Sequence, residues 1–301
     1  MNSVTVRAPA TTANLGPGFD CIGMALDIWN DLTLTHGDFN VATTGEGADL
    51  LPQDTRNLVV TGVEAVFNHI GESVPGFQYK CTNRIPYARG MGSSSAAIVA
   101  GLTAGSAISG ANLSNEELTV LAADIEGHPD NVAPAIYGGC TVGVRNGTES
   151  WVIDQVDLPE DLHAVLFVPE MQVNTHESRA GLPDQISRTD AVFNIGRAAL
   201  LVNALSTGRL ELLKYATDDR LHQPHRTQAF KAMPHLIKAA LAGGAHGAFL
   251  SGAGPSVMAL STGSEFTISA EMSETARTFG IGGKSMIMAV TQEGASVVAS
   301  S

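Results

Sequence analysis

The sequence predicts a mixed α and β protein of two domains that pack against each other. The chain has 301 residues, more than the roughly 100–200 residues of one typical domain. Both halves combine apolar patterns of period two, typical of strands, with patterns of period about 3.6, typical of helices. No proline-rich or charged linker separates the halves, so we place a boundary near Asp157. The expected domains are residues 1–157 and 158–301, with a ligand cleft between them.

Strands and helices alternate in the first half. A strand through Val4–Thr11 leads into a loop, Ala13–Gly23, whose glycines and proline disfavour regular structure. Ser114 and Glu117 have the spacing of a capping box, so a helix is expected to begin there and to end near Gly127. The other predicted elements are strands at 28–35, 39–43, 77–83, 140–144 and 151–156 and helices at 57–69 and 96–109.

A second series of strands and helices is predicted in the second half. Its strands are expected at 164–168, 247–251, 256–261 and, as the last strand, 286–290, and its helices at 191–205 and 210–216. Gly283-Lys284-Ser285 has the letters that end a Walker phosphate loop, but Thr278 stands where that pattern requires glycine. We therefore predict a loop there, before the last strand.

The composition excludes several classes of protein and partner. Hydrophobic residues make up 44% and charged residues 16%, which is enough to bury a core and unlike a disordered chain. The formal charge of −13 repels phosphate backbones and anionic lipid, so neither nucleic acid nor a membrane is an expected partner. Three cysteines without a C-x-x-C pair and an N-terminus unlike a signal peptide favour the cytoplasm.

The segment Pro86–Ala97, PYARGMGSSSAA, is the strongest candidate for an anion site. Its glycines let backbone amides converge, and the helix that follows directs its positive end at them, as a polyphosphate requires. A dinucleotide-binding fingerprint would need glycine where Ser95 stands, and no acidic partner follows about 20 residues later. The alternative interpretation is a turn that lets a helix of small residues pack closely.

A second polar segment, Glu126–Asn131, has the sequence EGHPDN at the end of a predicted helix. A carboxylate at this position could hold the magnesium ion that accompanies ATP. Taken alone, the segment could equally be an exposed helix end that faces water.

Other polar residues are candidates for binding a small substrate. Asn14 and Asp20 frame the first glycine-rich loop, and Thr175, Arg179 and Arg226 could bind a carboxylate, although a single arginine could be only a surface charge. Zinc at the His222–His225 segment is disfavoured because Pro224 interrupts the register and no third ligand is near in sequence. No G-x-S-x-G elbow occurs, so phosphoryl transfer is the leading chemistry.

Three segments together resemble the motifs of the GHMP kinase superfamily, in the same order. They are Pro9–Asp20, Gly90–Ala97 and Ser251–Ser256. Within the superfamily, Cys21–Gly23 and His128–Ala135 resemble the members that phosphorylate L-homoserine rather than mevalonate or galactose kinases. The resemblance implies a homodimer with an α+β fold in two domains, the active site lying in the cleft between them. It also implies transfer of the ATP γ-phosphoryl group to the L-homoserine hydroxyl, which gives O-phospho-L-homoserine for threonine biosynthesis.

The resemblance further implies roles for individual residues. It assigns Glu126 and Ser94, or a serine next to Ser94, to Mg²⁺. The residues assigned to ATP are Pro86, Arg89, Gly90, Met91, Gly92, Ser93, Ser94, Ser95 and Ala96, and those assigned to L-homoserine are Asn14, Asp20, His128, Asp130, Arg179 and Arg226. The resemblance assigns Asn131, Arg179 and Thr175 to the catalytic group, the last two through a T-x-x-x-R pattern.

Two departures from common patterns bear on this assignment. Met91 and Ser95 replace Leu and Ala of the usual G-L-G-S-S-A loop, and both changes preserve size or smallness. Asn131 lies in the region where mevalonate and galactose kinases have an aspartate base, so no side chain is an obvious proton acceptor. Positioning and electrostatics would then drive catalysis, and the phosphate would take the proton.

Two alternatives share these motifs. A kinase for another small alcohol would keep Gly90–Ala97 and use Asp20, Arg179 and Arg226 differently. A catalytically silent ligand sensor on the same scaffold would bind nucleotide or ligand without turnover.

Overall fold

The computed structural model describes residues 1–147, 150–173 and 175–301, without the side chains at 175–177. In these ranges two β-sheets lie with helices packed around them. The strands are β1 (Ser3–Asn14), β2 (Gly18–His36), β3 (Asn40–Gly45), β4 (Phe77–Asn83), β5 (Cys140–Asn146), β6 (Ser150–Val156), β7 (His163–Pro169), β8 (Gly247–Leu250), β9 (Val257–Ser261), β10 (Gly283–Ala289) and β11 (Ser296–Ser300).

The larger sheet has seven strands and contains both the first and the last strand of the chain. Its order is β11-β1-β2-β4-β3, and β5 pairs with β2 and with β6. All of these pairs are antiparallel except β3 with β4. The second sheet has the order β10-β7-β9-β8 and is antiparallel throughout.

Helices cover these sheets and supply several residues of the candidate site. They are α1 (Leu58–His69), α2 (Ser93–Ser109), α3 (Asn115–Glu126), α4 (Val132–Tyr137), α5 (Thr175–Ala180), α6 (Arg188–Ser206), α7 (Leu213–Ala216), α8 (Gln223–Arg226), α9 (Met233–Ala242) and α10 (Glu265–Thr278), with a 3₁₀ turn at Leu210–Leu212. No helix in the described ranges is long and apolar enough to cross a membrane.

The predicted helix after Ser114 is confirmed with its capping box. The Ser114 hydroxyl accepts from the Glu117 amide, and the Glu117 carboxylate accepts from the Ser114 amide at 2.8 Å. The helix ends at Gly127, as expected. The reciprocal bonds satisfy two backbone donors that the first turn would otherwise leave without partners.

The loop expected at Ala13–Gly23 is wrong for most of its length. Only Leu15–Pro17 lies outside β1 and β2, because Ile22 and Gly23 pair with β5. Gly23 allows β2 to pack closely against the backbone at Asp130, because a Cβ at this position would come within 1.6 Å of the Asp130 carbonyl oxygen.

The end of the chain also differs from expectation. Residues 283–285 begin β10 rather than forming a loop, and β10 is not the last strand, because β11 follows and pairs with β1. Five helices, α4, α5, α8, α9 and α10, were not predicted. Prolines lie in α4, α8 and α9, and α10 is polar enough that only Ile268, Met272 and Ala276 mark its buried side.

The chain passes from the first sheet to the second next to the expected domain boundary. β6 of the first sheet ends at Val156, and β7 of the second sheet begins at His163. Near the end of the chain, β11 belongs to the first sheet again. A single apolar cluster includes Val6 and Leu32 of the first sheet together with Leu166 and Met258 of the second. The division at Asp157 stays a prediction, and the apolar packing is continuous across it.

Candidate active site

A cavity of about 920 Å³ contains most of the residues proposed from the sequence. Those that line it are Asn14, Asp20, Arg89, Gly90, Met91, Gly92, Ser93, Ser94, Glu126, His128, Asp130, Asn131, Arg179 and Arg226. They come from both halves of the chain, and this volume is within the range of small-molecule sites.

The three sequence motifs contact one another at the floor of this cavity. Ser251 Oγ donates to the Gly90 carbonyl at 2.5 Å and is therefore the acceptor from Thr12 Oγ1, at 2.8 Å. The Gly252 amide donates to the Ala13 carbonyl at 3.2 Å. The first strand thus holds the glycine loop through the turn that begins at Ser251.

The glycine loop places the first turn of α2 at the cavity. Gly92 is the N-cap residue with φ +65°, and a Cβ there would come within 1.9 Å of Thr11 Oγ1. The first amides of a helix have no partner within it, and Ser93 and Ser94 line the cavity. This geometry can bind an anion through backbone amides and the helix dipole.

The side chains of four residues assigned to ATP lie outside the cavity lining or are engaged by other contacts. Pro86, Ser95 and Ala96 are buried away from the lining, and the Ala96 amide donates to the Gly92 carbonyl at 2.9 Å. Ser95 Oγ has no hydrogen-bond partner among the described residues, but it lies near enough to Glu126 to oppose the rise in the pKa of that carboxyl. The Arg89 guanidinium donates to the carbonyls of Tyr87, Pro169 and Glu170, so it fastens the loop to the end of β7.

Ser94 and Glu126 lie together beside the first turn of α2. The Ser94 hydroxyl donates to Glu126 Oε1 at 3.2 Å. Burial raises the pKa of Glu126, while His128 and the Ser94 hydroxyl oppose this shift. Hydroxyl and carboxylate oxygens are ligands that Mg²⁺ prefers, so this pair fits the ion that the sequence suggested.

A cluster of two carboxylates and an imidazole lies next to this pair. Ligand atoms of Asp20, His128 and Asp130 all lie within 4.8 Å of one another, and His128 Nδ1 is 2.5 Å from Asp130 Oδ1. Burial favours neutral His128, but the hydrogen bond to Asp130 and the nearby carboxylates outweigh it and raise the His128 pKa. Such a group suits an ammonium ion.

Two asparagines connect these groups. Asn131 Oδ1 accepts from Thr11 Oγ1 at 2.8 Å, and its Nδ2 donates to Asp130 Oδ1 at 3.3 Å. Asn14 Nδ2 donates to the Gly252 carbonyl at 3.1 Å, and its Oδ1 accepts from the Asp20 amide at 3.0 Å. Asn131 therefore spans from the strand behind the glycine loop to the acidic group, and Asn14 fixes the backbone at Asp20.

The two arginines have different surroundings. Arg179 forms a two-point ion pair with Asp20, with N–O distances of 2.8 and 2.5 Å. Arg226 is buried, and its Nη1 donates to the Gly252 carbonyl at 3.0 Å, whereas its Nε has no partner among the described residues. Burial and the charge of Arg179 lower the pKa of Arg226 to about 10. Arg226 therefore gains from a bound carboxylate, and Arg179 already has one in Asp20.

Some important residues were not found by sequence reasoning. The guanidinium carbons of Arg179 and Arg226 lie 5.4 and 5.8 Å from the centre of the Phe19 ring, which also stacks on His222 at 5.3 Å. Phe19 was visible as the aromatic residue before Asp20 in the first motif. Thr175, by contrast, begins α5, and its side chain lies outside the described part of the chain.

Comparison with known proteins first defines the class. The family model described as the GHMP kinases N terminal domain matches residues 57–139, and the one described as GHMP kinases C terminal matches residues 200–277. A mevalonate kinase structure from L. major, 17% identical with a TM-score of 0.66, shares the fold. The molecule has the mixed α and β fold of the GHMP kinases.

Closer relatives define the family within this class. Homoserine kinase from Desulfitobacterium hafniense is 42% identical, covering 98% of this chain and all of that protein, and the Trichormus variabilis enzyme is 41% identical, covering 93% and 94%. A crystal structure of homoserine kinase from Cytophaga hutchinsonii has a TM-score of 0.89 at 31% identity and covers 99% of this chain and 98% of that one. The chain belongs to the homoserine kinase family.

Proposed function

We propose that this chain transfers the γ-phosphoryl group of ATP to the side-chain hydroxyl of L-homoserine, giving O-phospho-L-homoserine for threonine biosynthesis. The observation that supports this most is that one cavity contains both the first turn of α2 and the cluster of Asp20, His128 and Asp130. Asn131 links them, with one amide atom on Thr11 behind the glycine loop and the other on Asp130.

The two charged groups of the amino acid match two groups of side chains. The ammonium is assigned to Asp20 and Asp130, which lie together with His128. The carboxylate is assigned to Arg226, whose buried Nε has no partner among the described residues. Partial exclusion of water from the cavity strengthens both interactions.

Phosphoryl transfer requires the hydroxyl oxygen in line with the bond that breaks. The oxygen forms a bond to Pγ, the bond from Pγ to the bridging oxygen of ADP breaks, and the hydroxyl proton goes to the transferred phosphoryl group. The Asn131 amide cannot accept a proton at neutral pH, so it orients the reactants instead. The roles of Thr175 and Arg179 at this step stay predictions.

Ser94 and Glu126 would hold Mg²⁺ with ATP. The pair supplies only oxygen ligands and lies beside the first turn of α2. When bound, the ion neutralises charge that develops on the phosphate oxygens. The Ser93 and Ser94 amides bind the phosphates from the protein side.

The cavity continues beyond the glycine loop into a less polar part, where we place adenosine. Asn57, Val59, Ile85 and Tyr87 are among its lining residues. Asn57 Oδ1 accepts from the Val59 amide at 3.2 Å and caps α1, so this wall is fixed by secondary structure. No residue pattern in the sequence marked this part of the site.

The test is release of ADP from Mg-ATP against L-homoserine, L-serine, L-threonine, mevalonate, shikimate and galactose. Selective turnover of L-homoserine is expected. Turnover of another alcohol would contradict the assigned substrate and identify a kinase of different specificity. Nucleotide binding without turnover of any alcohol would favour a sensor.

A homodimer and a cytoplasmic location complete the proposal. The dimer follows from the resemblance of the motifs, and light scattering should give about twice the mass of one chain. All three cysteines are free, with Cys81 and Cys140 buried, which supports a reducing compartment. Cell fractionation with an antibody would check the location.

A further inference from the structure

His222 joins the first motif to Arg226 in the part of the molecule behind the amino-acid site. Its side chain is fully buried. Nε2 lies 2.8 Å from the Gly16 carbonyl oxygen, and Nδ1 lies 2.7 Å from Arg226 Nη1. The sequence suggested this histidine only as a weak metal ligand, and the proposed reaction assigns it no part.

The two neighbours determine the tautomer of the imidazole. A guanidinium group only donates and a carbonyl oxygen only accepts, so Nδ1 must be unprotonated and Nε2 must carry the proton. Burial lowers the pKa of His222 to about 4, with the Arg226 charge acting in the same direction and Asp219 opposing it. A neutral ring is therefore the form that matches both contacts.

Other residues hold the ring in place. Asp219 has a fully buried side chain and accepts from the His222 and Gln223 amides at 3.0 and 2.7 Å, which fixes the start of α8. Phe19 stacks on the other side of the ring, at 5.3 Å between centroids. The imidazole therefore has little freedom to move away from Arg226.

We infer that His222 is a positioning residue that orients the Arg226 guanidinium for the substrate carboxylate and ties this orientation to the turn at Gly16. The contacts of Nη1 with His222 and with the Gly252 carbonyl fix one edge of the guanidinium. Its Nε, which has no partner among the described residues, is left for the carboxylate. This inference rests on the proposed function, because it requires a substrate with a carboxylate.

Two substitutions separate this role from simple packing. The amide oxygen of His222→Asn can occupy the position of Nδ1 and accept from Arg226, whereas His222→Leu fills the space without an acceptor. We expect His222→Leu to raise the KM for L-homoserine on the order of 30-fold with the KM for ATP unchanged, and His222→Asn to raise it less than about threefold. His225→Asn, at an exposed position in α8, is the matched control.

The compound 3-aminopropan-1-ol, which is homoserine without its carboxylate, provides the second test. Its kcat/KM should be the same in the unmodified chain and in His222→Leu. In an Arg226→Met background, His222→Leu should cause no further loss on L-homoserine, because the two residues act on the same group. Equal losses on both substrates, or additive losses in the double variant, would overturn the inference in favour of packing alone.

Nitrogen NMR of the free protein tests the geometry without turnover. Nδ1 of His222 should be unprotonated and Nε2 protonated at pH 7, and a protonated Nδ1 would overturn the inference. If the unmodified chain does not turn over L-homoserine, the proposed function fails. If it does and His222→Leu leaves the KM unchanged, only the positioning role fails.

Discussion

The two ends of the cavity use different chemical groups. At the end proposed to bind phosphate, the first turn of α2 offers backbone amides, and the nearby Arg89 is engaged by backbone carbonyls. At the end proposed to bind the amino acid, Asp20, Asp130 and Arg226 bring charged side chains together, and Asp130 and Arg226 are buried. The phosphate end should therefore be most sensitive to changes of backbone, and the amino-acid end to changes of charge.

The largest effect is expected where a side chain would displace the phosphate loop. Gly92→Ala places a Cβ 1.9 Å from Thr11 Oγ1 at φ +65°, so the loop must move. We expect kcat/KM to fall on the order of 1,000-fold. The control is Gly110→Ala at the other end of α2, with φ +77° and no atom within 4 Å of the added Cβ. It carries a similar backbone cost, so an equal loss of activity in both variants would show that strain alone is responsible.

The next effect tests the one carboxylate at the phosphate end. Glu126→Gln removes the charged oxygen that accepts from Ser94. We expect kcat to fall on the order of 100-fold, with little change in the KM for L-homoserine, because the carboxylate proposed to bind Mg²⁺ is lost. Glu116→Gln, at an exposed position in the first turn of the same helix, should have full activity. An unchanged kcat for Glu126→Gln across a Mg²⁺ titration would remove Glu126 from the metal site.

A smaller effect is expected at the amino-acid end. Asp20→Asn weakens the two-point pair with Arg179 and removes one carboxylate from the ammonium site. The KM for L-homoserine should rise about 10- to 30-fold, with the KM for ATP unchanged. Asp190→Asn breaks an ion pair with Arg220 at 3.3 Å on the surface and serves as the control. A change mainly in the KM for ATP would contradict the division between the two ends.

The smallest effect concerns stability and pH. Because burial raises the pKa of Glu126 above its ordinary value of 4.5, the folded chain holds that proton to higher pH than the unfolded chain. This residue therefore makes the free energy of unfolding fall as the pH rises through the window above 4.5. Urea unfolding of Glu126→Gln should show a higher stability than the unmodified chain above this window. If the free energy of unfolding has the same pH dependence in both proteins, the charged Glu126 carboxylate does not destabilise the folded state.

Sequence reasoning predicted the phosphate end better than the amino-acid end. Glycine-rich turns before helices have a local signature, so Gly90–Ser94 could be placed at a helix start from sequence alone. The ion pair of Arg179 with Asp20 joins residues 159 positions apart, and buried Arg226 lies against Phe19, which is still farther away in the sequence. No local pattern encodes such contacts.

The errors in the predicted fold also come from contacts between segments that are distant in sequence. The segment after Pro17 contains glycines that suggested a loop, but they allow β2 to approach α4 and β5 closely. β11 was missed because Ser296–Ser300 is short and exposed along its whole length, so its pairing with β1 left no apolar pattern. Packing between distant segments determined both elements.

The apolar cluster that includes Val6 of the first sheet and Leu166 of the second limits how ligands can enter. A hinge opening between the sheets would expose such side chains, at a cost of about 1.5–3 kcal/mol for each one. Few of them can be exposed before the population of the open form becomes negligible. Exchange of substrate and product is therefore expected to depend on side chains and loops at the mouth of the cavity, while the relative position of the sheets stays fixed through the catalytic cycle.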